Sequence, residues 1–345
     1  MAIKQTAINK FFHLSRFNTS LPIGLAIFLI SAYTLAEDTV VSFKFDWPQS
    51  LQGSIENYSH FTNRVKNDGE HRVQTDMIWR SMDFVVSEQS EGLQFDNEVT
   101  KSSYRPEPGK QEIEEQLWQL AIKTVPSYTV SKQGEFSGLV NEQEMHDKVS
   151  AEIGEKYQES LEELPEHILD ELDYLFSSDY HWTTTYNNWE RDVGQWVDSE
   201  MAIGIDNEEG GTLVLPFWEN VELPFRTTTT LLGFISCDAK PGDKQSKHEK
   251  SGTSSKSTTC VEIESVSKLD EEAVAQFVED TNNENGTDPE MQWKPKLHHK
   301  LNVITDPNTL IPRATSEIDV LSLDVDGSTI IIYQQGTQNT YNYEF

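Results

Sequence analysis

Hydrophobic residues alternate at every second position near the start of the chain. They recur at spacings of three and four through its middle and return to extended runs towards its end. That order, strands then helices then strands, restricts the fold more than any motif does. Residues 41–47 set Val41, Phe43, Phe45 and Trp47 on one side and Ser42, Lys44 and Asp46 on the other. This is the pattern of a half-buried strand, ended by Pro48. An extended run follows over 72–86. It is apolar at odd positions first (Val73, Met77, Trp79) and at even positions later (Ile78, Met82, Phe84, Val86). Such a parity switch predicts a bulge or a change of packing partner. Ser90-Glu91-Gly92 turns the chain, and Leu93–Val99 returns as the next strand of a meander. Residues 127–140 read as a smaller hairpin around Lys132-Gln133-Gly134-Glu135.

The period then changes. Asn141 with Glu144 makes a capping-box pattern, and Met145, Val149, Ile153, Tyr157 and Leu161 follow at helical spacing. Pro165 suits the first turn of a second helix. Ile168, Leu172 and Leu175, then Trp182, Tyr186, Trp189, Val193 and Trp196, continue at spacings of three and four. Asp179 alone breaks the pattern, beside Ser177 and Ser178, which predicts a turn between two helices. Strands are expected again at 212–217, 225–237, 260–265, 297–305, 318–325 and 328–343, with Asp326-Gly327 as a hairpin turn. A short helix is expected over 270–278 and a loop over the Asn-rich stretch 279–289. The fold class expected is α+β: a large, mostly antiparallel, curved β-sheet with a helical segment, about 141–203, packed on one face. This plan resembles periplasmic lipid-carrier half-barrels at the level of fold alone, a likeness that carries no function.

Residues 1–36 have the composition of a cleavable export signal. Lys4, Lys10 and Arg16 precede the apolar run Leu21–Ala36, and no acidic residue occurs before Glu37. A Pro and a Gly interrupt that run, which is shorter than the roughly 20 apolar residues of a spanning helix. The expected product is a single α+β domain, 37–345, in the periplasm or outside the cell, with no membrane span after cleavage.

The full chain carries 27 Lys and Arg against 58 Asp and Glu. Loss of residues 1–36 removes three basic and no acidic residues, leaving 24 against 58 and a net charge of −34. Such a field excludes nucleic-acid binding, which needs clustered basic residues. It favours solubility and cationic protein partners. The helical segment is the most acidic region, with 17 acidic and three basic residues over 142–203.

Cys237 ends one expected strand and Cys260 begins the next. Between them, 239–258 has no large apolar residue and carries five Lys, so it reads as a flexible loop. Two strands joined by such a loop face each other at its base, where a disulfide closes it in an oxidising compartment.

Catalytic chemistry leaves no comparable signature. The chain contains no G-x-S-x-G, H-E-x-x-H, P-loop or G-x-G-x-x-G. His298 and His299 are adjacent, and in a strand they point to opposite faces, away from a shared metal. Asp324-Val325-Asp326-Gly327 resembles the start of a calcium loop. Ser322 and Tyr333, however, stand where position 1 and the bidentate carboxylate would be. No metal, cofactor or catalytic residue is expected. Trp182, Trp189 and Trp196, with Tyr186 between them, lie seven residues apart and are expected on one helical face, as core or as the wall of an apolar cavity. The function expected is a non-catalytic binding or carrier protein for a lipid or other hydrophobic small molecule. The alternatives are a secreted hydrolase without a local motif and an envelope interaction or assembly subunit. Intact mass of the exported protein should place its N-terminus at Glu37. A membrane-bound species retaining residues 1–36 would contradict the export reading.

Overall fold

The two-residue hydrophobic period leads to strands in the computed structural model, which describes residues 39–67, 70–106, 112–161, 166–214, 221–242, 259–285, 293–325 and 327–344. The first half of the chain contributes β1 (Val40–Ser42), β2 (Ser50–Asn67), β3 (Glu70–Gln89), β4 (Gly92–Arg105), α1 (Glu112–Lys123), β5 (Ser127–Ser131) and β6 (Phe136–Val140). The helical middle is α2 (Glu142–Leu161), α3 (Glu166–Leu175) and α4 (Ser178–Asp192), then a single 3-10 turn, Gly194–Trp196. The remainder is β7 (Glu200–Ala202), β8 (Asp206–Val214), β9 (Glu222–Ser236), β10 (Thr259–Leu269), α5 (Glu271–Asn285), β11 (Trp293–Thr305), β12 (Pro312–Val325) and β13 (Ser328–Glu344).

Eleven of these strands make one sheet in the order β6-β5-β4-β3-β2-β13-β12-β11-β10-β9-β8. Every neighbouring pair is antiparallel, and every pair except β2–β13 consists of consecutive strands. The protein is thus mainly β, and the α+β expectation gives its helices too much weight. The helical segment does not lie on the sheet as one layer either. Helices α1 and α2 and the end of α3 pack on one another through Leu117, Val149 and Phe176. Trp189 at the end of α4, with Val193 and Trp196 just beyond it, enters the main core.

Three boundaries differ from expectation for physical reasons. Residues 41–47 do alternate in burial, with Val41, Phe43 and Trp47 inside. Only Val40–Ser42 pairs as a strand, with β7. Beyond it the backbone donors go to separate loops, Phe43 N to Ser199 O (2.9 Å) and Lys44 N to Pro307 O (3.3 Å). The parity switch coincides with a bulge, but β3 keeps unbroken register with β2. The extra residue is Thr100 of β4, opposite Ser81 and Met82. Helix α5 runs to Asn285, through residues 279–285 of the stretch expected to be a loop.

The outer face of β9–β12 has its own small core of Cys260, Ile304 and Ala314, with Ile235, Cys237 and Ala239 against it. Cys237 and Cys260 are joined as expected, with Cα atoms 4.9 Å apart. Residues 243–258 of the expected loop lie outside the described residues, as does the whole of 1–36. The bridge fits an oxidising compartment. Among the described residues no helix is long and apolar enough to cross a membrane. Non-reducing peptide mapping should yield one Cys237–Cys260 linkage. Replacing both cysteines with Ser should lower stability by about 3 kcal/mol, from the closed loop alone. Two free thiols under oxidising conditions would contradict this.

Candidate ligand cavity

Helix α4 starts where Ser177 caps it, its hydroxyl accepting from Tyr180 N at 3.1 Å. It ends at Val193, whose backbone leaves helical geometry (φ −139°, ψ −57°). That break disperses the expected tryptophan stripe. Trp189 is buried at the end of α4, whereas Trp196 sits on the 3-10 turn, in the core, with its indole N–H donating to Arg191 O (3.2 Å). Trp182 is 45% exposed and stacks on Tyr186 at 5.0 Å, with Phe136 edge-on to both. Of the four candidates only Trp189 lines the cavity described next.

Between α4 and the inner face of β2–β5 and β13 lies a cavity of about 110 Å³. Its apolar wall is built by Trp47, Ile55, Met82, Phe84, Phe95 and Trp189. The rings support one another: Trp47 lies 5.2 Å from Phe95 and 6.0 Å from Trp189, and Phe95 stacks on Tyr128 at 4.8 Å. Trp189 is fixed further by its indole N–H, which donates to Gly134 O at 2.8 Å. Phe84 leans over Gly53, its direct cross-strand partner, where an added Cβ would stand 2.7 Å from the ring. A larger residue at 53 would push that wall inwards.

The opposite wall is polar: Asn57, Arg80, Arg191, Asp192, Asn339 and Tyr341. Asn57 and Asn339 face each other across β2 and β13, with Asn57 Nδ2 donating to Asn339 Oδ1 at 2.7 Å. Arg191 grips Asp192 through Nε (2.6 Å) and Nη2 (2.9 Å) and reaches Glu317 through Nη1 (3.3 Å). The Tyr341 hydroxyl donates to Asp192 as well. Burial opposes the Arg191 charge, but Asp192 and Glu317 outweigh it and hold Arg191 above the usual arginine range. The Tyr341 hydroxyl is pushed well up by burial and by Asp192, so it stays a donor.

From Glu317 the network continues to the register pair His299 and Asp319, joined Nδ1 to Oδ1 at 2.5 Å. His299, Glu317 and Asp319 each offer a ligand atom within 4.8 Å of the others, a donor set of the kind that takes a divalent metal. Here those atoms are engaged by one another and by Arg191, as an ion-pair network. His298 is not part of the cluster, as its neighbouring strand position requires.

This network makes stability depend on pH. Burial disfavours the His299 imidazolium, yet the Asp319 hydrogen bond and the Asp319 and Glu317 charges prevail and raise its pKa. A folded-state pKa above the unfolded value adds stability that is complete below the ordinary histidine pKa, about 6.5. That stability is lost as pH rises through the folded value. Urea unfolding of wild type and His299→Gln should therefore differ most in mild acid and converge in alkali. A difference independent of pH would rule out this role.

No family model matches the chain, and no curated protein matches it. A solved structure described as lipid–protein interactions in lipovitellin overlays with a TM-score of 0.33 at 9% identity. The overlay covers 87% of this chain and 25% of that one, so the chain spans a quarter of its length. A match at that level assigns no family.

Proposed function

We propose that the protein is an exported, non-catalytic binding protein that holds a small hydrophobic molecule in the cavity between α4 and the sheet. The observation that carries this reading is the cavity itself, walled by rings from separate elements. Its volume, about 110 Å³, is near the room in which an apolar cavity of roughly 150 Å³ takes up benzene. A single-ring compound fits whole, and a lipid is held by one end only. A hydrolase would need two carboxylates across the cleft or a Ser–His pair. Among the described residues the carboxylate lining the cavity is Asp192, and Arg191 and Tyr341 occupy it.

Truncating Trp189 is a poor test, because its ring also belongs to the main core and its loss costs about 3–5 kcal/mol. Filling the space is a better one. Thr185 of α4 lines the cavity and is partly buried. Thr185→Phe should occupy the void with little change in melting temperature. Wild type should bind 2-naphthol saturably, read by energy transfer from tryptophan, and Thr185→Phe should bind about tenfold more weakly, some 1.4 kcal/mol. Binding that is absent in wild type, or unaffected by filling, would refute the cavity reading.

A further inference from the structure

We propose that the ligand of this cavity is a carboxylate: an anionic, acceptor-only head on a compact apolar body. The inference rests on the binding reading above and concerns which chemistry the cavity selects. Two residues that line the cavity carry buried donors, the indole N–H of Trp47 and the Nε–H of Arg80, that have no acceptor among the described residues. Trp47 is only 8% exposed. Buried donors are almost always paired, and leaving one orphaned is costly. Neither group is able to accept a hydrogen bond, so the pair asks for acceptors and offers none.

Two of the acceptors that line the cavity, Asp192 and Asn339, are already engaged. Both Asp192 oxygens receive Arg191, and one also receives Tyr341. The Asn339 carbonyl receives Asn57. Charge points the same way. Arg80, Arg191 and Asp192 leave the cavity wall with one net positive charge inside a chain of net charge −31. Among the described residues Arg80 makes no ion pair, and its neighbour Arg191 adds repulsion. Arginine does not escape by losing its proton. A ligand seated beside Trp47 and Arg80 must bring oxygen acceptors of its own, and a carboxylate supplies several for charge-assisted bonds. The ring-lined wall then takes the apolar remainder.

Isothermal titration with three matched pairs tests the head group: phenylacetate against phenylacetamide, 4-phenylbutyrate against its amide, and octanoate against octanamide. At least one carboxylate should bind wild type about tenfold or more tightly than its amide. Arg80→Met should reduce the carboxylate to the level of the amide and leave amide binding unchanged, and Arg80→Lys should restore part of the preference. Should Arg80→Met fail to fold, Trp47→Phe keeps the ring and removes its donor, and should weaken the carboxylate selectively. Equal binding of acid and amide, insensitive to either variant, would overturn the anion proposal and leave the cavity reading standing. No binding of any of the six compounds, together with no binding of 2-naphthol, would overturn both.

Discussion

Pairing of β2 with β13 holds the molecule together. These strands come from opposite ends of the described chain and match over twelve register positions, from Gln52 with Glu344 to Asn63 with Tyr333. All other ladders of the large sheet join consecutive strands and could form locally. The β2–β13 ladder alone converts two partial sheets, β2–β6 and β8–β13, into one. Side chains at this seam are fitted to each other. The His60 ring lies over Gly336, where an added Cβ would stand 2.1 Å from it, and Asn57 bonds Asn339, which in turn donates to Thr315 at 3.1 Å. Such long-range closure makes folding slow relative to a hairpin meander.

The cavity is a product of that seam. Ile55 and Asn57 come from β2, Asn339 and Tyr341 from β13, and Arg80 and Phe84 from the strand next to β2. Helix α4 closes the space through Trp189 and the Arg191–Asp192 pair. Buried charge therefore sits where the two halves meet. A buried ion pair of this kind contributes little net stability against an apolar substitute, but breaking one partner is costly. It ties the end of α4 to β12 through Glu317 and to β13 through Tyr341.

Local chemistry made much of this fold legible in the sequence. The hairpin at 127–140, the helix break at Ser177 and the Cys237–Cys260 bridge all rest on neighbours in sequence. Strand β2 was invisible because its inward positions beside the seam are polar: Asn57 and Ser59 are buried there, so no apolar alternation marks it. Helix α1 does carry a helical period in Ile113, Leu117, Leu120 and Ala121, which pack together, but it is short and stands between strands. Of the aromatic stripe, Trp189 lines the cavity. The stripe failed for Trp196, because a seven-residue spacing assumes a helix that Val193 ends. The cavity had no local signal, since its walls come from eight separate segments of the chain. Arg80 and Trp47 matter for the partners they lack, and only the fold reveals that.

The central claim is that this seam cavity is a binding site for a small acid. A crystal structure of the protein grown with phenylacetate tests it most directly. The account predicts the phenyl ring in the cavity against Trp47 and Trp189, with carboxylate oxygens accepting from Arg80. Ordered water alone in the cavity, with phenylacetate bound elsewhere on the protein, would contradict it.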